Sequence, residues 1–297
     1  MSARWIDLLD PGRAEIEAVL PAGIDPDVLE ELAAPARERE PRPVLEDHGA
    51  YVFGVLVPIV DVDGTPTSLE VGMVATGARL VTVRKTPVQG APFEVASLAA
   101  ADDAARPVGE LVHRLVDDVA DTYLDVLDAI YAEIDGLEDG LDELEPSVVR
   151  TRLVELRHDL LRRRRTISAT RTSVRRIVDG RIEAGDPELF PREVERLFAD
   201  TYDTLVRVTE DVDVARDLLG GVRDHLQSKI AESQSEVGKK LTVIASLVLV
   251  PSFVVGFFGQ NFEGEFEKGF WTLGFSTGLI VASTLLQLAL FRWRRWI

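Results

Sequence analysis

Two long apolar runs near the end of the chain dominate its pattern of hydrophobic and polar residues. Residues 241–258 and 270–291 contain no charged side chain, and about 18 or more apolar residues are enough for a helix to cross a bilayer. Helices buried in a soluble core are the alternative, but two such runs joined by a short polar segment disfavour it. We therefore predict transmembrane helices at 241–258 and 270–291, separated by a loop at 259–269.

Basic residues flank the two runs and predict their orientation. Lys239 and Lys240 precede the first run, and a basic tail at 292–297 follows the second. Because loops rich in lysine and arginine stay in the cytoplasm, we expect a multi-pass cell-membrane protein with both termini cytoplasmic. The outer loop carries Glu263, Glu265 and Glu267. These carboxylates would concentrate cations at an outer mouth, or they would simply keep a turn in water.

A long stretch without proline precedes the first apolar run. From Arg192 to Val250 apolar residues recur every seven positions, in two series offset by three. Paired series of this kind are typical of a coiled-coil packing seam, so we predict one helix that continues to Phe258 over roughly 100 Å. Gly220 and Gly221 would allow a bend or a close helix contact. The first series is Phe198, Leu205, Val212, Leu219 and Leu226, and the second is Thr201, Val208, Ala215 and Val222.

The middle of the chain predicts two more helices. One runs from Leu111 to Leu144 and is terminated by the following Glu145-Pro146. The next runs from about Ser147 to Val178 and is terminated by Asp179-Gly180. The second contains four consecutive arginines at 162–165. Nucleic-acid binding is one interpretation of this run, but the neighbouring helices are acidic, so ion pairs between helices or a solvated face are favoured.

The first hundred residues have a different pattern. Short runs rich in β-forming residues alternate with turn residues and predict a small sheet flanked by helices. The strands are expected at Tyr51 to Val60, Ser68 to Thr76 and Ala78 to Arg84, and the helices at Arg13 to Leu20 and Asp27 to Ala33. The chain is thus predicted to be an α+β membrane protein, with an N-terminal α/β cytoplasmic head at 1–105, a helical stalk at 106–240 and two C-terminal transmembrane helices.

Composition narrows the function classes. The formal net charge of −18 argues against a nucleic-acid partner and suits cations, because nucleic-acid affinity comes largely from cationic side chains. Cysteine is absent, and the four histidines are scattered without metal-ligand spacing. Since no catalytic triad order, phosphate loop or dinucleotide fingerprint occurs, we expect no enzyme activity and no organic cofactor.

The segment GQNF at 259–262 directly follows the first apolar run, and in this position it resembles the Gly-Met-Asn signature of the CorA family of divalent-cation transporters. The resemblance covers nearly the whole chain, through residues 5–11, 25–32, 201–219 and 236–262. Gln260 stands where most members have methionine, and related branches with other residues there include zinc transporters. The outer loop is also shorter than is usual in the family.

The resemblance implies a homopentamer whose first transmembrane helices line a central pore for a divalent metal ion, with Mg²⁺ expected as both the transported and the regulatory ion. Gly259, Gln260 and Asn261 would form the selectivity motif at the outer mouth, where amide oxygens can hold a hydrated ion. Gly259 would end the helix in a left-handed cap. Leu241 and Leu249 match family positions that narrow the pore.

A helical period places residues that are mostly small or hydroxylated along one stripe of the first transmembrane helix. Together with Leu241, this stripe forms the predicted pore lining, and simple helix packing is the alternative. The stripe is Gly238, Thr242, Ala245, Leu249, Ser252 and Gly256.

The resemblance also implies gating by cytoplasmic magnesium at acidic sites between subunits. Glu31 and Asp224 match one pair of positions, and Glu30, Asp117 and Asp200 fall near a second proposed set. A bound divalent ion would relieve repulsion between such carboxylates and hold the pore closed. For each residue, the alternative is an ordinary surface charge of an acidic protein.

Two other functions stay open at this point. One is transport of zinc, cobalt or nickel within the same superfamily, because Gln260 departs from the common signature. The other belongs to a different class, a membrane-anchored helical scaffold without transport. A pentamer in detergent would favour a pore, and a dimer would favour the scaffold.

Overall fold

The structure, a computed structural model, describes residues 4–36, 41–62, 64–101, 106–182, 189–259 and 269–296. The chain divides into two compact units, Met1–Val222 and Arg223–Ile297.

The first unit begins with a five-stranded sheet in the order β1-β7-β6-β3-β2. Strands β1 and β7 pair in parallel, and the other neighbours are antiparallel. A separate antiparallel hairpin is formed by β4 and β5. The strands are β1 (Trp5–Leu9), β2 (Val44–Asp47), β3 (Val52–Leu56), β4 (Ile59–Val62), β5 (Thr65–Ser68), β6 (Val71–Ala75) and β7 (Leu80–Arg84).

The predicted sheet is confirmed, but its strands differ in detail. The run from Tyr51 to Val60 is two strands rather than one, because Pro58 has no amide hydrogen to donate and separates β3 from β4. The run from Ser68 to Thr76 likewise divides between the end of β5 and the whole of β6. The sequence pattern did not predict β1 and β2.

Two helices cover one face of this sheet, α1 (Arg13–Val19) and α2 (Pro26–Ala33). Asp25 caps α2, and its Oδ1 accepts a hydrogen bond of 2.9 Å from the amide of Asp27. Gly72 on β6 lets α2 approach closely, since a Cβ there would lie 2.5 Å from Cδ2 of Leu32. The buried core on this face is Ile16, Val28, Leu29, Leu32, Tyr51, Phe53, Val55, Val57, Val74 and Val83.

Three helices follow the sheet in the chain, α3 (Ala96–Ala101), α4 (Val108–Asp139) and α5 (Pro146–Val178), with a short 3₁₀ helix at Gly140–Asp142. The predicted helix at Leu111 to Leu144 therefore begins earlier and ends in a tighter turn. Tyr123 on α4 is fully buried, and its hydroxyl donates 2.9 Å to the carbonyl of Val57 and lies 3.0 Å from Oγ1 of Thr170. This contact joins the helices to the sheet.

The longest helix, α6, runs from Arg192 to Phe258 without interruption, as the heptad pattern predicts. All nine residues of the two predicted series are buried, which confirms the packing seam. The helix passes through Gly220 and Gly221, where a Cβ would meet no atom within 4 Å. The close helix contact expected at these glycines is therefore not present among the described residues of a single chain.

The second unit contains the C-terminal part of α6 and the helix α7 (Gly269–Trp293). These elements contain the predicted transmembrane helices at 241–258 and 270–291. Pro251 lies inside α6 within the first of them.

Candidate functional site

The C-terminal helices are long and apolar enough to cross a membrane. The most apolar window of α6 is 11% buried in the chain, and that of α7 is 6% buried. Core helices of soluble proteins are mostly buried, so this exposure of apolar surface indicates a lipid environment instead.

One face of the first transmembrane segment is buried within the second unit, whose other helix is α7. On this face Val243 and Val254 are buried, each with 7% of its surface exposed. Near its C-terminal end, the ring of Phe258 meets that of Phe275 on α7 edge-on, with centroids 6.0 Å apart. Half-buried residues complete the face, namely Ser246, Leu247, Val250, Pro251 and Phe258.

All seven residues of the predicted pore lining lie on the other side of the same helix. At 100° per residue their mean direction is roughly 160° from the packed face. Each of them is exposed in the single chain, including Leu241 at 61% and Leu249 at 66%. Packing within the chain therefore does not account for this stripe.

The stripe carries two hydroxyl groups whose hydrogens are already engaged. Thr242 Oγ1 donates 2.9 Å to the carbonyl of Gly238, and Ser252 Oγ donates 2.7 Å to the carbonyl of Val248. Each oxygen keeps lone pairs that can accept a further hydrogen bond. The stripe can thus offer acceptors to water without leaving a polar hydrogen unsatisfied.

Gly259 directly follows the end of α6, and its amide donates 2.8 Å to the carbonyl of Val255. The left-handed cap expected at Gly259 is wrong, because it is not among the described glycines with positive φ. The helix ends here in ordinary backbone geometry, and a Cβ would lie only 2.9 Å from that same carbonyl oxygen. The other predicted motif and outer-loop residues, Gln260, Asn261, Glu263, Glu265 and Glu267, lie outside the described residues.

The first predicted regulatory pair lies on two elements. Asp224 is on α6, with 68% of its side chain exposed and an ion pair of 3.0 Å to the adjacent Arg223. Glu31 is half-buried in the last turn of α2, beside the exposed Glu30.

Asp117 and Asp200, from the second predicted set, differ in their surroundings. Asp117 on α4 is half-buried, and its Oδ1 accepts 2.9 Å from Oγ1 of Thr201, which also lies 3.1 Å from Nε2 of His113. Asp200 is exposed on α6. Within the described parts of one chain, no three acidic or histidine side chains come together as a metal site.

The carboxylates along α4 affect one another. Burial, and then the neighbouring charges of Asp117, Asp118 and Asp125, raise the pKa of Asp121 above its ordinary value of 3.8. This surface of α4 therefore bears carboxylates whose mutual repulsion a cation would reduce.

The arginine run at 162–165 makes ion pairs, as the favoured interpretation predicted. Arg164 contacts Asp213 on α6 at 2.9 Å, and Arg162 pairs with Asp159. Arg163 is buried, and Arg165 is exposed. At least one of these arginines thus joins two helices.

One polar contact near the site was not predicted from the sequence. Lys85, the residue after β7, is buried against Glu70 and donates 2.9 Å to the backbone carbonyl of Glu31. The one feature of the sequence that could have indicated this contact is the position of Lys85 directly after an apolar strand. The chain has only five lysines.

A family model described as "CorA-like Mg2+ transporter protein" matches residues 2–294. Among curated relatives, "Cobalt/magnesium transport protein CorA" of Thermotoga maritima is 29% identical over 189 residues, which cover 63% of this chain and 52% of that protein. The protein of the same description from Methanocaldococcus jannaschii is 22% identical over 305 residues, 99% of this chain and 91% of that one. The first match thus spans about half the relative's length.

The fold also matches solved structures. "The complete structure of CorA magnesium transporter from Methanocaldococcus jannaschii" superposes with a TM-score of 0.80 at 18% identity, covering 99% of this chain and 91% of that one. At this identity the likeness shows the fold, an α/β head followed by a long helix and two C-terminal apolar helices.

Proposed function

This chain belongs to the family of CorA-like Mg²⁺ transporter proteins, and we propose that it forms a homopentameric channel that carries magnesium into the cell. Five copies would surround one axis, with the first transmembrane segment of each copy lining the pore. Both termini would lie in the cytoplasm. The inside-negative potential would supply about 4.6 kcal/mol per 100 mV for a divalent cation, at about 2.3 kcal/mol per elementary charge.

One observation carries the proposal, which is the exposed stripe on the side of the first transmembrane segment opposite its contact with α7. Its glycines, alanine and hydroxyl residues would let neighbouring helices approach closely. Other exposed residues of this segment are larger and suit lipid, such as Ile244, Val248 and Val255. The helix therefore has separate faces for α7, for lipid and for an axis.

The proposed lining matches the needs of a hydrated cation. Thr242 and Ser252 would accept hydrogen bonds from its water shell, while rings of Leu241 and Leu249 would close the pore by excluding water. Binding within such a pore is weak, because the ion meets lone pairs rather than carboxylates. Weak binding allows release on the other side.

At the outer mouth we propose a ring of Asn261, the only asparagine of the chain. Magnesium gives up its water reluctantly and prefers octahedral oxygen coordination, so amide oxygens that bind its hydration shell would select it without stripping it. The acidic loop residues would raise the local cation concentration.

For regulation we propose that cytoplasmic Mg²⁺ links neighbouring subunits through Asp224 of one and Glu31 of the next. The high exposure of Asp224 supports this, because a carboxylate there can reach a neighbouring chain. Asp117, Asp200 and Glu30 would form the second site, with Asp117 held in place by Thr201. Loss of the ion would restore carboxylate repulsion and release the closed state.

Reconstituted vesicles test this function. We expect Mg²⁺ influx into the vesicles, and this influx should fall when the vesicle interior is loaded with Mg²⁺. Asn261→Ala should abolish the influx. The control Gln227→Ala, which changes an exposed amide on α6, should retain it. Asp224→Ala should keep the influx but lose the inhibition. Parallel measurements with cobalt, nickel and zinc identify the preferred ion. No influx from a pentameric preparation, or full influx in Asn261→Ala, would refute the channel, and a dimer would favour a scaffold.

A further inference from the structure

A buried ion pair connects the sheet to the helix that carries Glu31. Lys85 and Glu70 have side chains only 2% and 5% exposed, and they contact each other directly. The Lys85 Nζ also donates 2.9 Å to the carbonyl oxygen of Glu31. We call Lys85, Glu70 and the Glu31 carbonyl the α2 clamp.

The clamp reaches a part of α2 that needs a donor. The helix ends at Ala33, so the last carbonyls of the helix lack partners within it. The amide of Ala34 bonds to the carbonyl of Glu30, and Lys85 bonds to that of Glu31. An ammonium group is also favoured at this end by the helix dipole.

A buried pair of opposite charges does not require a stabilising role. Replacing such a pair with apolar residues of similar volume is often neutral for stability, whereas removing one partner leaves a buried charge and is strongly destabilising. An apolar pair, however, cannot donate a hydrogen bond to Glu31. An apolar pair in place of Lys85 and Glu70 would therefore keep the stability but lose the hydrogen bond that positions Glu31.

We infer that Lys85, held by Glu70, is a positioning residue that fixes the last turn of α2 and so sets the position of the Glu31 carboxylate for the regulatory ion. This inference rests on the proposed function, in which Glu31 is half of an intersubunit magnesium site. Gly72 and Leu32 set the distance of α2 from the sheet, and the clamp sets the position of its end.

The test variant is Lys85→Met with Glu70→Met, which keeps the side-chain volumes and removes both charges together. The matched control is Arg84→Met with Asp7→Asn, the ion pair one residue away, whose bonds go from Arg84 to Asp7 at 2.6 Å and to the carbonyl of Phe93 at 2.9 Å. Glu31→Ala reports the loss of the carboxylate itself. All are full-length proteins in detergent.

Three measurements are compared. Hydrogen exchange without metal reports the last turn of α2, protection from protease against Mg²⁺ concentration reports the regulatory ion, and the thermal unfolding midpoint reports stability. In the clamp variant we expect faster exchange at residues 30–34, a protection midpoint at about tenfold higher Mg²⁺ and an unfolding midpoint close to that of the parent. Partners that orient metal ligands typically contribute about 10- to 100-fold in affinity. The control pair should change neither exchange at α2 nor the Mg²⁺ midpoint.

The outcomes separate this inference from the proposed function. Unchanged exchange, or faster exchange with an unchanged Mg²⁺ midpoint, overturns the positioning role while the parent and Glu31→Ala still report a magnesium site. If Mg²⁺ does not protect the parent protein from protease, or if Glu31→Ala leaves that protection unchanged, the proposed magnesium sensing is refuted. The positioning role is then refuted with it. The exchange data then still show whether the clamp holds α2.

Discussion

The absence of cysteine makes the proposed pore face directly testable, because any thiol introduced is the only one present. We consider Ser252→Cys, on the exposed stripe, and Ser246→Cys, a half-buried position on the side that faces α7. Their separation of six positions corresponds to roughly 120° around the helix. The two substitutions are chemically identical and lie in the same transmembrane segment.

The expected difference follows from the surroundings of each position. Both serines donate to a carbonyl of their own helix, at 2.7 Å from Ser252 to Val248 and at 3.0 Å from Ser246 to Val243. Loss of either bond costs about 1 kcal/mol, so the folding effects match. A cationic thiol reagent pays at least about 2.5 kcal/mol to leave water for the bilayer centre, or roughly 60-fold in local concentration. Modification at position 252 should thus be faster by at least about that factor.

The assay is the rate of labelling by a cationic methanethiosulfonate reagent added outside sealed vesicles. We expect labelling at position 252 to block Mg²⁺ influx, and external Mg²⁺ to slow it by competition. Equal rates at the two positions, or faster labelling at 246, would refute the assignment of this face to a water-filled axis.

Two further predictions concern α4. Tyr123→Phe removes the buried donor to Val57 and should lower the free energy of unfolding by about 1–3 kcal/mol. The loss should be smaller for Tyr131→Phe, whose half-buried side chain donates to the carbonyl of Asp211. Equal losses of the two variants in denaturant titrations would contradict this. The raised pKa of Asp121 means that its ionised form opposes folding, so the associated stability is present below pH 3.8 and is lost as pH rises through the folded-state pKa. Asp121→Asn should therefore raise the thermal midpoint at pH 7, by an amount that shrinks towards pH 4, and a gain that does not depend on pH would contradict the cause.

The long helices could be predicted because the pattern that specifies them is local. In α6 two heptad series identify the buried side over several turns, and each member, such as Phe198 or Leu226, repeats the same information. The start of the helix also has a local cause, since Pro191 precedes it. One atypical residue in a series therefore does not change the prediction of the buried side.

Strand β1 could not be predicted because its partner β7 is distant in the chain. Trp5 of β1 lies opposite Leu80 of β7, and its indole nitrogen donates 3.0 Å to the buried hydroxyl of Thr82. Strand β2 is only four residues long, and its outer edge has no neighbouring strand among those described. Strands this short contain too few alternating positions to be recognised alone.

The candidate site divides in the same way. Periodicity predicted the stripe that we propose lines a pore, but a period alone cannot tell an exposed face from one that packs within the chain. The burial of Val243 and Val254 resolves that question, because it places the packed face on the other side of the helix. The clamp of Lys85, Glu70 and Glu31 joins residues 15 and 54 positions apart, so only the folded sheet brings them together.

Pro251 has a consequence for movement within the bilayer. A proline cannot donate to the residue four positions earlier, so the carbonyl of Leu247 lacks its usual helical bond at a depth where water is scarce. Rotation of the helix at this level breaks one bond fewer than rotation elsewhere along the same segment. The two halves of the first transmembrane segment can therefore rotate relative to each other most easily at this level, between Leu249 and Ser252.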